Sequence, residues 1–232
     1  MNAPRIWVGG PEALVREFQE QLPDASFSDP AEAELLVVLD LEPQELWAHW
    51  RELPPTKATR LVNSTTVLAL ELALAAPHPD RVVGLHALPG LLSLERWELV
   101  RTEITEASAV AQVEALCRRV GKTAEWVLDR IGGVLPRLLC GLINEACTAV
   151  QEQVAGPEEI DLAMQLGTNY PKGPFGWMRQ FGARNALLVL EALFEDLREP
   201  RYRASPVLRR YALLERLGLP LWGADRGSQS GP

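Results

Sequence analysis

The sequence predicts an α/β domain with a mostly parallel sheet, followed by an all-α domain. Up to Asp129, short apolar runs alternate with helical segments, which is the pattern of a parallel sheet with helices on its faces. After Asp129, apolar residues recur at helical spacing and no strand-like run returns. We therefore place the two domains at residues 1–128 and 129–222. A small polar tail at residues 223–232 is expected to be disordered.

The elements of the first domain follow from local signals. Residues 34–41 form a continuous apolar run, typical of a strand covered on both faces, and Pro11 suits the first position of a helix. The predicted strands are residues 5–8, 25–27, 34–41, 59–63, 81–85, 97–100 and 123–128. The predicted helices are residues 11–22, 43–53, 66–76 and 107–120.

The second domain is predicted to contain helices at residues 134–154, from 157 onward, at 176–197 and at 205–217. The helices at 134–154 and 186–197 carry more apolar residues than a helical domain of roughly a hundred residues readily buries alone. Such faces favour an apolar two-fold interface. We therefore expect a homodimer.

Composition excludes several classes of function. The formal net charge is −8 with no basic block, which argues against a nucleic-acid partner. No apolar stretch is long enough for a membrane span and no signal peptide is recognisable, so the expected location is cytoplasmic. The three cysteines have neither a metal-ligand spacing nor a CxxC motif, so we expect no metal site. Cys140 and Cys147 are expected in the core.

His86 and Glu98 are the candidate acid–base pair. His86 ends one predicted strand, and Glu98 lies on the next. A carboxylate that holds one imidazole nitrogen fixes the tautomer and stabilises the imidazolium, as in general acid–base sites. The alternative reading is a buried histidine with one hydrogen bond and a glutamate on a solvated face.

Several motifs resemble those of the 3-hydroxyacyl-CoA dehydrogenases over nearly the whole chain. They are Asn63-Ser64-Thr65-Thr66, Gly84-Leu85-His86, Trp97-Glu98-Leu99, Gly121-Lys122-Thr123, Leu142-Ile143-Asn144-Glu145-Ala146, Glu159-Ile160-Asp161-Leu162-Ala163-Met164 and Tyr170-Pro171-Lys172-Gly173-Pro174-Phe175. This resemblance implies a shortened Rossmann-like domain followed by a helical domain that dimerises.

The resemblance also implies roles for residues. His86 matches the histidine that takes the 3-hydroxyl proton while hydride passes to NAD, and Glu98 matches the glutamate that orients it. Thr65 falls on a substrate-facing serine and keeps the hydroxyl. The implied substrate is an acyl-CoA or a smaller hydroxy acid. Pro136 stands where the family has an asparagine, so a polarising donor is missing.

The cofactor-binding motif departs further from the family. A dinucleotide fold uses G-x-G-x-x-G after its first strand. Gly9 and Gly10 begin such a turn, but Pro11 and Leu14 occupy the second and third glycine positions. Asp29 lies where the ribose-binding acid would be. The alternative interpretation is a turn residue before Pro30. We therefore expect NAD to bind weakly or not at all.

Two functional hypotheses remain open. The first is an NAD-dependent oxidoreductase of 3-hydroxyacyl thioesters, with His86 as base and Glu98 as its orienter. The second is a non-catalytic or repurposed homodimeric relative that acts as a binding module or scaffold. Retention of His86 with Glu98 favours the first hypothesis, whereas the missing glycines and Pro136 favour the second.

Overall fold

The computed structural model describes residues 4–222, so the tail predicted at 223–232 lies outside the described residues. The strands are β1 (Arg5–Gly9), β2 (Ser26–Phe27), β3 (Leu35–Val38), β4 (Thr59–Asn63), β5 (Val82–Leu85), β6 (Arg96–Val100) and β7 (Thr123–Val127). The helices are α1 (Glu12–Glu20), α2 (Pro43–Glu52), α3 (Ala69–Leu74), α4 (Ala107–Arg119), α5 (Leu135–Gln151), α6 (Pro157–Thr168), α7 (Pro174–Phe181), α8 (Ala183–Leu197) and α9 (Pro206–Arg216).

All seven strands form one sheet in the order β2-β1-β3-β4-β5-β6-β7. Neighbouring strands are parallel except β5 and β6, which are antiparallel. The link between those two strands, residues 86–95, is too short for the crossover that a parallel pair needs. This reversal brings the end of β5, with His86, beside the first half of β6, with Glu98. The predicted fold class, a mostly parallel sheet followed by helices, is confirmed.

The sheet is covered on both faces. Its central strands β3, β4 and β5 are buried along their whole length. One face packs on α1 and α4 through residues such as Phe18 and Val113. The other packs on α2 and α3 through residues such as Trp50 and Leu72. The continuous apolar runs of the sequence follow from this double coverage.

α5, α7 and α8 meet in a third core cluster, which also includes Leu41, Leu88 and Leu91 from the first half of the chain. The single helix predicted at 176–197 is wrong, because the structure has two helices, α7 and α8, that meet at Gly182. Gly182 has a φ of +88°, a left-handed conformation that ends α7. The apolar periodicity continues across the break, so the pattern alone did not reveal it.

Helix starts in this protein are capped by carboxylates from distant parts of the chain. Asp129 accepts the first two amides of α3, Ala69 at 3.0 Å and Leu70 at 2.9 Å. Asp161, within one of the family-like motifs, accepts two amides at the start of α7, at 2.7 and 2.8 Å. Neither helix has a side-chain cap from its own N-cap residue. A negative charge there satisfies otherwise unpaired N–H groups and complements the helix dipole.

Cys140 and Cys147 are core residues, as predicted, and Cys117 is buried too. Burial raises the pKa of the Cys117 thiol to about 11, so it stays protonated and unreactive near neutral pH. Among residues 4–222, no helix is both long and apolar enough to cross a bilayer.

Candidate active site

His86 follows β5 directly and is only 4% exposed. Neither ring nitrogen has a hydrogen-bond partner among the described residues. Burial, with a further contribution from the charge of Arg137, lowers the pKa of His86 to about 4. The imidazole is therefore neutral near neutral pH and able to accept a proton.

Glu98, the predicted orienter of the imidazole, makes its side-chain hydrogen bonds elsewhere in this structure. Its carboxylate accepts the backbone N–H groups of Val134 at 2.9 Å and Leu135 at 2.7 Å, and so caps α5. No hydrogen bond joins it to His86, whose ring nitrogens have no partner within residues 4–222. The physical reason is competition. The first amides of α5 have no partner within the helix, and two charge-assisted bonds to them outweigh one bond to a neutral ring.

His86 and Glu98 nevertheless converge on Gly133. A Cβ added to Gly133 would lie 2.5 Å from Cδ2 of His86 and 2.7 Å from Oε2 of Glu98. Gly133 also has a φ of +52°, which favours glycine. The neighbouring Gly132 donates its N–H to the carbonyl oxygen of Thr65 at 2.7 Å. Gly133 was not among the predicted site residues, although two glycines just before a long helix are a usable signal.

Thr65 supports the His86 segment from inside the protein. Its hydroxyl donates to Oδ1 of Asn63 at 2.6 Å and accepts the N–H of Ala87 at 3.1 Å. Asn63 in turn donates its amide to the carbonyl oxygens of Ala87 and Leu39, at 3.0 and 3.3 Å. This buried network ties the ends of β3, β4 and β5 together. The hydroxyl proton of Thr65 is therefore committed to Asn63, which leaves the residue a positioning role in this structure.

A cleft of about 590 Å³ opens beside His86 and Glu98. Its apolar wall consists of Leu91, Leu94, Val134, Leu135 and Pro136. Glu95, Arg96 and Glu125 also line it, and a cleft of this volume that combines apolar and polar side chains suits a small-molecule ligand. Pro136 lies in the first turn of α5, where its missing N–H leaves no helix bond unmade.

The turn after β1 has structural reasons for both of its glycines. The indole of Trp7 lies over Gly9, in the space where a Cβ would be. Gly10 has a φ of +129°, and a Cβ there would lie 3.0 Å from the backbone nitrogen of Asp40. Gly9 thus accommodates a tryptophan of its own strand, and Gly10 allows β1 to approach the chain after β3.

The other predicted cofactor residues do not form a dinucleotide cradle. Leu14, at a predicted glycine position, is buried in the core between α1 and the sheet. Glu12 is exposed and pairs with Arg16. Oδ1 of Asp29 accepts the N–H of Ala31 at 2.9 Å, so this carboxylate caps its own turn. The described residues around β1 therefore do not fit a pyrophosphate held on a glycine-rich turn.

Two family models match the chain in succession. Residues 42–129 match the 3-hydroxyacyl-CoA dehydrogenase NAD binding domain. Residues 132–220 match the C-terminal domain of the 3-hydroxyacyl-CoA dehydrogenases. The matched ranges include His86, Glu98, Thr65 and Gly133. They begin after β3, so Gly9, Gly10 and Asp29 lie outside them.

Individual proteins similar in sequence to this chain point to the same family. A probable 3-hydroxybutyryl-CoA dehydrogenase of Bacillus subtilis is 37% identical over 161 residues, which are 69% of this chain and 56% of the relative. The 3-hydroxyadipyl-CoA dehydrogenase of Escherichia coli is 35% identical over 150 residues, 65% of this chain and 30% of that protein. The chain thus spans about half the length of the first of these relatives.

Solved structures show that the whole described fold is shared. M. tuberculosis FadB2 superposes with a TM-score of 0.83 at 21% identity, over 97% of this chain and 100% of that chain. The (S)-3-hydroxybutyryl-CoA dehydrogenase PaaH1 of Ralstonia eutropha gives a TM-score of 0.73 at 24% identity, over 92% and 83%. Residues 4–41 therefore keep this architecture although neither family model matches them.

Proposed function

This chain belongs to the 3-hydroxyacyl-CoA dehydrogenase family, and from that premise we propose that it oxidises a 3-hydroxyacyl thioester to the 3-oxoacyl thioester with His86 as the proton acceptor. The observation that carries the proposal is the imidazole of His86. It is buried, and both ring nitrogens lack a partner among residues 4–222. Buried polar atoms are nearly always hydrogen-bonded. A ligand hydroxyl in the adjoining cleft would supply the missing partner.

The charge state of His86 suits oxidation. With a pKa of about 4, the ring is unprotonated at neutral pH and ready to take the proton of a 3-hydroxyl group. Burial, with a further contribution from the charge of Arg137, keeps the pKa of His86 below the near-neutral value that favours a general base, which also favours low turnover.

Three residues position His86 in this proposal. Glu98 fixes the start of α5, and with it Gly133, whose backbone lies against the ring. Thr65 fixes the backbone of Ala87, the residue after His86. These contacts hold the imidazole at the cleft without occupying either of its nitrogens, which is how a rigid site keeps a base available to its substrate.

Family membership implies NAD as the hydride acceptor. The turn after β1 does not fit the glycine-rich cradle, because Trp7 lies over Gly9 and Leu14 fills the third glycine position. Pro136 also supplies no amide donor to a substrate carbonyl. We therefore propose turnover well below that of an enzyme with an intact motif, by about 10²–10³ for the missing donor alone.

The test is the NAD-linked oxidation of 3-hydroxybutyryl-CoA, followed by NADH formation. Replacing the base in His86→Gln is expected to lower kcat by about 10²–10⁴. His78→Gln is the matched control, since His78 precedes β5 at the opposite end of the strand from His86. Wild-type turnover that survives His86→Gln unchanged would refute the assigned role.

A second candidate is a binding module that holds an acyl thioester without turning it over. The indole over Gly9 and the proline at position 136 favour it. Calorimetric titration with 3-hydroxybutyryl-CoA distinguishes the two. Binding that depends on His86 without any NADH formation, at saturating NAD, supports the module over the enzyme.

A further inference from the structure

One wall of the cleft beside His86 is a turn rather than a strand or a helix. Residues 88–94, which we call the wall turn, lie between β5 and β6 and contribute Leu91 and Leu94 to the cleft. The N–H of Leu91 donates to the carbonyl oxygen of Leu88 at 2.9 Å, and the N–H of Leu94 donates to that of Leu91 at 3.2 Å. Bonds between residues three apart place these leucines on one side of the turn, and all three pack on the core cluster of α5, α7 and α8.

A carboxylate from α1 holds the wall turn. Oε2 of Glu17 accepts the N–H of Gly90 at 2.7 Å, and Oε1 accepts the N–H of Ser93 at 2.9 Å. The two amides lie on either side of Leu91 in the chain. Hydrogen bonds to a carboxylate are about twice as strong as those between neutral groups, and two of them fix the orientation of the turn as well as its distance from α1.

Lys122 holds the end of the same turn. Its Nζ donates to the carbonyl oxygen of Ser93 at 2.8 Å, and the N–H of the next residue, Thr123, donates to the carbonyl oxygen of Glu95 at 2.7 Å. The Gly121-Lys122-Thr123 motif, to which the proposed chemistry assigns no role, thus anchors the wall turn to the start of β7.

The middle of the wall turn is fixed by packing. Leu92 is buried in the core between the sheet and α1, and its carbonyl oxygen accepts Nε1–H of Trp97 at 2.9 Å. Gly90 has a φ of +87°, and the side-chain amide of Gln180 occupies the space where a Cβ of Gly90 would be. Leu91 therefore cannot move outward unless the bonds to Glu17 are broken.

The other apolar wall is fixed in a similar way. Glu98 accepts the first amides of α5, the helix whose first residues Leu135 and Pro136 line the cleft. Two carboxylates, one from α1 and one from β6, therefore determine how far apart the apolar walls lie. Such a distance matters, since one methylene group in an apolar pocket is worth about 10–200-fold in selectivity.

We propose that Glu17 and Lys122 are positioning residues that set the acyl-chain specificity of the cleft, by holding Leu91 and Leu94 where they limit it to a short apolar chain. This inference rests on the proposed function and adds residues that do not line the cleft themselves. Ala87, between His86 and the wall turn, is held separately by Thr65 and Asn63. Loosening of the turn should therefore leave the imidazole in place.

The experiment compares NAD-linked oxidation of 3-hydroxybutyryl-CoA and 3-hydroxyhexanoyl-CoA by the full chain. Glu17→Gln is expected to raise KM for the shorter substrate at least about threefold, while kcat changes less than about twofold. The ratio of kcat/KM for the longer substrate to that for the shorter one should rise at least about fivefold. Glu20→Gln is the matched control, because Glu20 is exposed on the same helix, and it should leave this ratio unchanged.

Lys122 provides a second test from another element. Lys122→Met removes the donor and should shift the ratio in the same direction, whereas Lys122→Arg keeps a cationic donor and should retain the wild-type ratio. Hydrogen exchange, which needs no substrate, should be at least about tenfold faster at the amides of Gly90 and Ser93 in Glu17→Gln than in the wild type.

The outcomes separate this inference from the proposed function. An active Glu17→Gln or Lys122→Met variant with an unchanged ratio, or unchanged exchange at the two amides, would overturn the positioning role alone. A wild type that neither oxidises nor binds either thioester would overturn the proposed function, and the positioning role with it.

Discussion

The backbone N–H of His86 donates to the carbonyl oxygen of Glu98 at 3.0 Å, yet the two side chains do not hydrogen-bond. The main chains of the two residues are neighbours because β5 and β6 are antiparallel. The carboxylate is nevertheless committed to the first amides of α5. Glu98 therefore acts on His86 indirectly, by fixing the start of α5 and the position of Gly133. We expect removal of its carboxylate to lower the stability of the fold first.

We predict that Glu98→Gln lowers the free energy of unfolding by about 1–3 kcal/mol, since a neutral amide replaces the carboxylate that makes two charge-assisted bonds to the first amides of α5. Urea denaturation measures the loss. Glu95→Gln is the control, because Glu95 is exposed on the same segment and its replacement should change stability by less than about 0.5 kcal/mol. Equal effects of the two substitutions would contradict the capping role.

The stability of the protein should depend on pH through His86. Its pKa is about 4 in the folded protein and 6.5 in an unfolded chain, so the unfolded state binds the proton first as the pH falls. The stability that depends on the neutral ring is therefore fully present above pH ~6.5 and is lost progressively down to pH ~4. The loss amounts to about 2 kcal/mol at pH ~5. Urea denaturation at neutral and acid pH, for the wild type and His86→Gln, isolates it.

In that comparison, the variant should lose less stability than the wild type on acidification, by about the same 2 kcal/mol at pH ~5. His49 is an internal contrast. Its Nδ1 lies 2.7 Å from Oδ2 of the buried Asp40, and this hydrogen bond raises its pKa. A group of that kind stabilises the fold below its unfolded pKa and ceases to do so as the pH rises through its folded pKa. His49→Gln should therefore steepen the acid loss. Parallel pH curves for the wild type and His86→Gln would show that His86 titrates normally.

NADH should bind weakly, with a Kd at or above the upper end of the ~1 µM to ~1 mM range common for enzyme ligands. The reason is the indole over Gly9 and the absence of the later glycines. If the indole blocks the nucleotide, Trp7→Ala should raise the affinity, measured by calorimetry. Trp47→Ala is a matched control, because Trp47 packs on the same core as Trp7. Tight binding by the wild type would show that this turn holds the nucleotide in another way.

A homodimer is still expected, and the structure shows which apolar side chains of the helical half are left for its interface. Five of the ten apolar residues of α8 are buried, as are Leu139 and Ile143 of α5, whereas Leu138 and Val154 are exposed. The exposed apolar residues of the helical half include Leu162 and Leu166 on α6, and Leu213 near the end of α9. We expect the partner to cover Leu162 and Leu166, which lie four residues apart on the same face of α6.

The corresponding variant is Leu162→Glu/Leu166→Glu, which places charges on that surface and should convert the dimer to a monomer by light scattering at micromolar concentration. Leu74→Glu is the control, since Leu74 is 69% exposed but lies on α3 of the first domain. A monomeric wild type at the same concentration would refute the dimer. A dimer that both variants leave intact would refute only its location.

The sequence alone determined the order of strands and helices, because the apolar repeat changes from the period of a doubly covered sheet to that of helices after Asp129. It also located His86 and Glu98, because their surroundings match the motifs of a family that the comparisons confirm. The break at Gly182 was not predictable from periodicity, since apolar residues continue at helical spacing on both sides of it.

Only the tertiary structure decided what the candidate residues do. Glu98 caps a helix that begins 37 residues later in the chain, Thr65 donates its hydroxyl hydrogen bond to Asn63, and Trp7 fills the space that Gly9 leaves. In each case a polar group is hydrogen-bonded, or a space is filled, by the group that folding brings closest. That group is either distant in sequence or placed there by the conformation of its own side chain. Residue types and spacing fix which groups need partners, whereas packing fixes which partner each one obtains.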